Sequence, residues 1–140
     1  MQAFVGLVRA HSATTRCFSA LLQREHGLTL NEFEVLLRLA RAPDRRLKRI
    51  ELVEQVLLTP SGITRLLDRL ERAGLVCKDS CSSDARVTYA VLTDAGAEKL
   101  RAASRSHIAE IRTLMCSHCS ERELASLAEL LHRLADGAAG

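Results

Sequence analysis

The Thr59-Pro60 step, which lies between two short amphipathic segments, constrains the fold of this chain most strongly. Threonine is a good helix N-cap, and proline suits the first helical position because no backbone hydrogen bond is lost there. The helix predicted after this step runs to about Ala73 and buries one apolar stripe: Ile63, Leu66, Leu67 and Leu70. A shorter helix is predicted before it, from about Lys48 to Leu57, with three inward residues: Ile50, Val53 and Val56.

Two short β-type runs follow this helix pair directly. Gly74 ends the second helix, and the runs at 75–79 and 87–92 flank a polar loop, which predicts a hairpin. A helix-turn-helix followed by a hairpin is typical of a winged helix-turn-helix, whose second helix enters the major groove of DNA.

Four more helices are predicted around this unit. They run from about Ala3 to His26, from a capping box at Thr29 to Arg41, from Thr93 to about Met115, and from a capping box at Ser120 to about Ala135. The predicted fold class is mainly α with a small β-hairpin wing, in one domain of residues 1–140. Residues 30–93 form the winged part, and residues 1–26 and 94–136 form a helical dimerisation part.

The positive charge of the chain is concentrated in its middle third. The formal net charge is +3, and residues 45–90 contain nine basic and six acidic side chains, so this stretch carries the whole excess. A localised basic excess is typical of proteins that bind a polyanion.

The candidate DNA contacts lie on the polar face of the second helix of the pair. Small residues at 61, 62 and 64 let the backbone approach base edges, and the arginines at 65 and 69 are able to pair with guanine or grip phosphate. Any amphipathic helix has a polar face, but the helix pair, the hairpin and the basic excess together favour DNA. The candidates are Ser61, Gly62, Thr64, Arg65 and Arg69, with Lys48 and Arg49 as phosphate contacts.

The hairpin loop carries Asp84 and Arg86. A loop arginine is able to enter the narrow minor groove, where the negative potential is high, and Asp84 is near enough in sequence to hold its guanidinium. The alternative is a turn-forming aspartate beside a solvated arginine. The chemistry of these two residues favours neither interpretation over the other.

The run LTPSGITRLLDRLERAGLV at 58–76 resembles the recognition-helix region of the MarR family of transcriptional regulators. Residues 84–86, 92–96 and 29–36 resemble the same family, so the resemblance covers nearly the whole chain. It implies a triangular homodimer in which the first, fifth and sixth helices intertwine and two winged parts bind a pseudo-palindromic operator. It also implies that Arg86 is the wing-tip arginine and Asp84 its brace. Ala85 departs from the family, whose members often have a second basic residue there.

The resemblance further implies a repressor that is released by a small phenolic or aromatic effector or by cysteine oxidation. Apolar residues on the first, fifth and sixth predicted helices exceed what the winged part covers, which independently favours a dimer. The effector crevice is expected between the dimer helices and the winged part. Three residues of the first helix are candidates for it, although packing or a solvated helix face is favoured for them: His11, Arg16 and Phe18.

Five cysteines suggest a second kind of switch. Cys116 and Cys119 join the last two helices, and Cys77 and Cys81 flank the wing. Cys119 precedes a helix N-terminus, which lowers a thiol pKa, but a free cysteine is more often a small apolar residue, and this is favoured for Cys17 as well. A metal site of Cys116, His118 and Cys119 ranks below oxidation because structural metals need three or four ligands.

No cofactor and no enzymatic activity are predicted, because no phosphate loop, HExxH or nucleophile elbow is found. The Glu-x-x-His at 129–132 occurs once, whereas di-iron bundles need two copies. No secretory signal or membrane span is recognised, so the expected compartment is the cytoplasm and reduced thiols are expected. The remaining alternative is a winged helix that binds protein instead of DNA.

Overall fold

The computed structural model describes residues 1–56 and 58–138, so Leu57, predicted to end the third helix, lies outside the described residues. The helices are α1 (Gln2–His26), α2 (Leu30–Arg41), α3 (Arg49–Val56), α4 (Pro60–Arg72), α5 (Asp94–His118) and α6 (Glu121–Ala138). The strands are β1 (Arg46–Lys48), β2 (Val76–Ser80) and β3 (Thr88–Leu92), and a 3₁₀ turn spans Pro43–Arg45. The predicted fold class, mainly α with a hairpin wing, is confirmed.

The chain divides into two compact units, Met1–Arg105 and Ser106–Gly140. The first contains α1 to α4, the sheet and the start of α5; the second contains the rest of α5 and α6. Among the described residues, no helix is both long and apolar enough to cross a membrane.

The wing is a three-stranded antiparallel sheet in the order β1–β3–β2. The predicted hairpin is confirmed, with Val76 opposite Leu92 and Ser80 opposite Thr88. The strand β1 was not predicted, and Lys48, which was expected to open α3, ends β1 opposite Tyr89. Three residues are too few to show alternation, and the partner strand lies about forty residues further along the chain, so the sequence has no local signal for β1.

The core of the first unit is aliphatic. The predicted stripe of α4 is confirmed, since each of its four residues is at most 2% exposed. On α3, the predicted inward positions of Val53, which packs against the core, and Val56, which is buried, are confirmed, but Ile50 is 58% exposed and Leu52 is buried instead. Leu52 and Val56 have an i, i+4 spacing, whereas the prediction placed Ile50 on this face. On α2, Ala40 is exposed and Leu39 is buried.

The junction that follows the wing ties the end of α4 to the start of α5. The backbone N–H of Thr93 donates to Leu75 O (3.2 Å), and Thr93 Oγ1 donates to Gly74 O (2.7 Å). Thr93 Oγ1 also accepts the N–H of Gly96 (3.0 Å) and so caps α5, which confirms the predicted start of this helix. A Cβ at Gly96 would lie 2.0 Å from Leu75 O, so only glycine lets α5 approach the backbone this closely.

The second unit begins within α5 and continues into α6. The capping box predicted at Ser120 is present: its N–H donates to Glu123 Oε2 (2.8 Å), and its Oγ accepts from the N–H of Glu123 (3.4 Å). No residue of α6 is buried. Four of its five leucines are exposed: Leu127, Leu130, Leu131 and Leu134.

We expect Gly96→Ala to destabilise the protein by about 1–3 kcal/mol, because a methyl group forced against a backbone carbonyl requires the backbone to shift. Chemical denaturation should show a lower midpoint at unchanged slope. The matched control is Gly6→Ala within α1, where nothing lies within 4 Å of the added Cβ. That change should stabilise by about 0.5–1 kcal/mol through helix propensity. Equal stability of the two variants would contradict the close approach.

Candidate DNA-binding surface

The N-terminus of α4 presents the small polar residues predicted to face DNA. Thr59 Oγ1 accepts the N–H of Gly62 (3.1 Å), so the predicted N-cap is confirmed. Ser61 is exposed, and Gly62 and Thr64 are partly exposed. The predicted buried stripe faces the core, so this polar face is accessible. The first turn of α4 is therefore both well capped and open to a ligand, with its N-terminal dipole favouring an anion.

Arg49 connects α3 to this face of α4. Its Nη1 donates to Thr64 Oγ1 (3.1 Å), and Thr64 Oγ1 in turn donates to Pro60 O (3.0 Å). The hydroxyl of Thr64 is therefore engaged within the protein. Arg49 places a guanidinium beside the first turn of α4, where the sequence had predicted a phosphate contact.

The two arginines predicted on α4 differ in their surroundings. Arg65 is exposed and has no ion-pair partner among the described residues. Arg69 is half-exposed, and its Nε donates to Glu32 Oε1 on α2 (2.9 Å). The sequence indicated Glu32 only as a capping residue, since its contact with Arg69 joins positions 37 apart.

Two acidic residues of α4 share one lysine of the wing, which offsets part of their negative charge. Lys78 on β2 pairs through Nζ with Asp68, and with Glu71 Oε2 at 3.3 Å. The hydrogen bond from Lys78 lowers the pKa of Asp68 and raises that of Lys78 itself. These pairs join β2 to α4 and offset negative charge that would otherwise repel phosphate. Sequence reasoning missed this role of Lys78, because no motif marks a cross-element ion pair.

The tip of the wing is organised by Asp84. Its Oδ1 accepts the backbone N–H of Arg86 (3.0 Å) and also Arg86 Nε (3.2 Å). Both hydrogen bonds, the backbone one first, lower the pKa of Asp84. Asp84 thus forms the turn and holds the Arg86 guanidinium at once, and entry of Arg86 into the minor groove stays a prediction. The Arg86 side chain is 92% exposed and projects into solvent.

A shallow cleft of about 100 Å³ lies between the start of α3 and the wing. Three of the predicted DNA contacts line it: Lys48, Arg49 and Arg86. We call this feature the cationic cleft. It lies between the polar face of α4, which Arg49 contacts, and the wing tip, which carries Arg86. The predicted contacts of α3, α4 and the wing therefore form one continuous surface.

A second cavity in the first unit is larger than the cationic cleft, with a volume of about 860 Å³, and is open to solvent. None of the predicted effector residues lines it. His11 and Arg16 are exposed on α1, and Phe18 is partly buried. The lining comes from the ends of α1 and α4 and the starts of α2 and α5, and includes His26, Leu28, Glu32, Arg69 and Lys99. A volume of this size suits a small molecule. Sequence reasoning missed it because its residues come from four separate segments.

None of the five cysteines, all of which lie among the described residues, takes part in a disulfide bond. Cys17, Cys77 and Cys116 are exposed, while Cys81 and Cys119 are partly buried. A hydrogen bond with Ser83 (Sγ···Oγ 3.0 Å) lowers the pKa of Cys81 despite the nearby Asp84. Within residues 1–56 and 58–138, no three His, Cys, Asp or Glu side chains are gathered as metal binding requires. The Cys116, His118 and Cys119 alternative therefore gains no support from the structure.

These features together define a winged helix-turn-helix protein. They are a capped helix with an open polar face, a preceding helix that Arg49 joins to it, and an adjoining hairpin with an arginine at its tip. Comparisons with known proteins narrow this class. The sequence profile of the MarR family matches residues 28–88. The HTH-type transcriptional regulator MhqR of Bacillus subtilis is 32% identical over 134 residues, which span 96% of this chain and 90% of that protein.

Two further similarities agree. The HTH-type transcriptional repressor YetL of Bacillus subtilis is 32% identical over 111 residues, spanning 77% of this chain and 66% of that protein. The crystal structure of Sco3205, a MarR family transcriptional regulator from Streptomyces coelicolor in complex with DNA, matches with a TM-score of 0.85 and 29% identity. That match covers 97% of this chain and 85% of the other. The chain belongs to the MarR family of DNA-binding transcriptional regulators.

Proposed function

We propose that this protein is a homodimeric repressor that binds a pseudo-palindromic operator through α4 and the wing and is released by a small-molecule effector. The observation that carries the DNA-binding mode is the continuous surface of α4, the cationic cleft and Arg86. The structurally similar Sco3205 is described in complex with DNA, and YetL is named a repressor. A regulator of transcription acts where the chromosome lies, so the proposed compartment is the cytoplasm.

Each part of this surface has a proposed task. Ser61, Gly62 and Thr64 allow α4 to approach base edges in the major groove, and Arg65 contacts guanine or phosphate. Arg86, held by Asp84, enters the neighbouring minor groove, where negative potential attracts a guanidinium. The phosphate backbone that separates the two grooves passes the cationic cleft, where Lys48 and Arg49 contact it.

The dimer is proposed from exposed apolar surface on helices of both units. On α6, Leu130 and Leu134 are 53% and 59% exposed, and on α1, Phe4 is 66% exposed. A helix with no buried residue and an apolar stripe is stable only when a partner covers that stripe. A twofold dimer also places two copies of α4 in successive major grooves, about 34 Å apart. The proposed dimerisation part is residues 1–26 and 94–136, and the proposed DNA-binding part is residues 30–93.

The effector is proposed to be a small aromatic or phenolic molecule. The open cavity of about 860 Å³ supports a small-molecule site, because it borders the end of α4 and combines apolar walls with charged groups. The alternative trigger is oxidation, which Cys81 favours because its lowered pKa raises the thiolate fraction at the wing. Because the relatives MhqR and YetL are a transcriptional regulator and a transcriptional repressor, the proposed role is regulation and not catalysis.

We expect Arg65→Ala and Arg86→Ala each to weaken binding of a selected operator duplex by about 1–3 kcal/mol while leaving the dimer intact. Fluorescence anisotropy over a salt series should give a steep decrease of affinity for the wild type, because phosphate contacts release counterions. Arg24→Ala on α1, where the arginine is exposed and paired with Glu25, is the control and should bind normally. Wild-type affinity in both variants, or an affinity that ignores salt, would favour the protein-binding alternative.

We expect the double variant Leu130→Glu, Leu134→Glu to be monomeric, because two buried carboxylates at the interface would lack partners. Sedimentation should give twice 15.4 kDa for the wild type and 15.4 kDa for the variant. The variant should also lose operator affinity, since one winged unit contacts only half a site. Ala125→Glu, an exposed position of the same helix, is the control. A dimer that survives both glutamates would contradict the proposed interface.

A further inference from the structure

Arg69 differs from the other predicted DNA contacts because its charge already has a buried partner. Its Nε donates to Glu32 Oε1 at 2.9 Å, and Glu32 is only 6% exposed. The other carboxylate oxygen of Glu32 accepts the backbone N–H of Thr29 at 2.9 Å. Both oxygens of this carboxylate are therefore engaged within the protein, one with a cation and one with a helix cap.

The burial of Glu32 makes this ion pair hard to break. A carboxylate as buried as Glu32 is destabilised when it loses its cation, because the limited water that reaches it from the adjoining open cavity replaces only part of the lost interaction. Moving the Arg69 guanidinium to a DNA phosphate would impose that cost. Arg65, which is exposed and unpaired among the described residues, carries no such cost.

We propose that Arg69 is a positioning residue, which orients the recognition helix α4 through Glu32 instead of contacting DNA. This proposal rests on the proposed function. The pair joins positions 37 apart and fixes the third turn of α4 against the first turn of α2. The capping box, in which Thr29 Oγ1 also accepts the N–H of Glu32 (3.1 Å), holds the carboxylate in place.

The consequence for DNA binding follows from helix periodicity. Residues four apart lie on the same face of a helix, so Arg65 and Arg69 share one face of α4. Fixing Arg69 sets the rotation of α4 about its axis, and that rotation decides where Arg65 points. The pair is therefore expected to affect the reading of operator sequence more than general attraction to duplex DNA.

The two roles considered for Arg69 predict different changes in operator affinity for the variant Glu32→Gln. Glutamine retains the capping box, since Gln serves at this position as Glu does, but it removes the buried charge. If Arg69 positions α4, the variant should bind a selected operator about five- to thirty-fold more weakly, the range of a one to two kcal/mol loss. If Arg69 contacts phosphate, loss of the competing carboxylate should leave binding unchanged or strengthen it.

The control is Glu34→Gln, which makes the same charge change on the same helix. Glu34 is more exposed and pairs with Arg38 at 3.1 Å, so its loss should affect duplex binding only through net charge. Thermal unfolding of each variant ensures that affinities are compared below the transition, where the protein is folded.

Arg69→Met is the second variant, and it separates specific from general binding. As a positioning change, it should weaken operator binding, leave affinity for an unrelated duplex within about twofold, and retain the wild-type salt dependence. A lost phosphate contact would instead lower both affinities and reduce the salt slope by about 0.9. The double variant Glu32→Gln, Arg69→Met should bind operator no more weakly than Arg69→Met alone, because both changes remove one interaction.

The outcomes distinguish this proposal from the proposed function. The positioning role alone is overturned if the wild type binds operator and Glu32→Gln binds it with undiminished affinity. A reduced salt slope for Arg69→Met overturns it as well. A wild-type protein that binds no duplex at low ionic strength overturns the proposed function and this proposal together.

Discussion

The orientation of α4 is the constraint on which the DNA-binding surface depends. Its apolar stripe is fully buried, so the helix has one face that faces the core and another that is open. Polar contacts from three different elements then fix its rotation: Arg49 of α3 near the first turn, Glu32 of α2 at the third turn, and Lys78 of β2 at the third and fourth turns. A helix held on its apolar and polar sides presents its remaining side chains in a defined direction.

Electrostatics and geometry act together in this arrangement. The pairs that hold α4 also offset part of its negative charge, because Lys78 pairs with both Asp68 and Glu71. Arg65 on α4 and Arg86 on the wing have no such role and are exposed, the latter held at its base by Asp84. The basic excess of the middle third is thus divided between structural pairs and side chains directed to solvent. Net charge alone does not show that division.

The close packing beside Gly96 places the wing relative to α4. The backbone carbonyls at 74–75 accept hydrogen bonds from Thr93, and Gly96 lets α5 pack closely against the same segment. Four features therefore meet at this point: the end of the recognition helix, the two strands of the hairpin and the start of α5. A displacement there would move the wing tip, which lies at the far end of the hairpin from this junction.

Local signals made much of this structure predictable. Several features depend on residues that lie within one or two turns of each other. They are the N-caps at Thr29, Thr59, Thr93 and Ser120, the buried stripe of α4, and the glycines at 27 and 74, which follow α1 and α4 with a positive φ. The contacts that the sequence did not reveal join distant segments, as β1 with β3 and Glu32 with Arg69 do. Ile50 was wrongly placed on the inward face of α3, and Leu52 was missed, because eight residues give two competing spacings and neighbouring elements select between them. The predicted effector residues on α1 do not line the large cavity, which four segments assemble.

The most direct test of the central claim is selection of bound sequences from a pool of random duplexes by the purified wild-type protein. Two copies of the surface described above, related by a twofold axis, predict enrichment of an inverted repeat whose half-site centres lie about 10 base pairs apart or a multiple of that spacing. Enrichment of a single unrepeated site, or no enrichment at low ionic strength, would contradict the account.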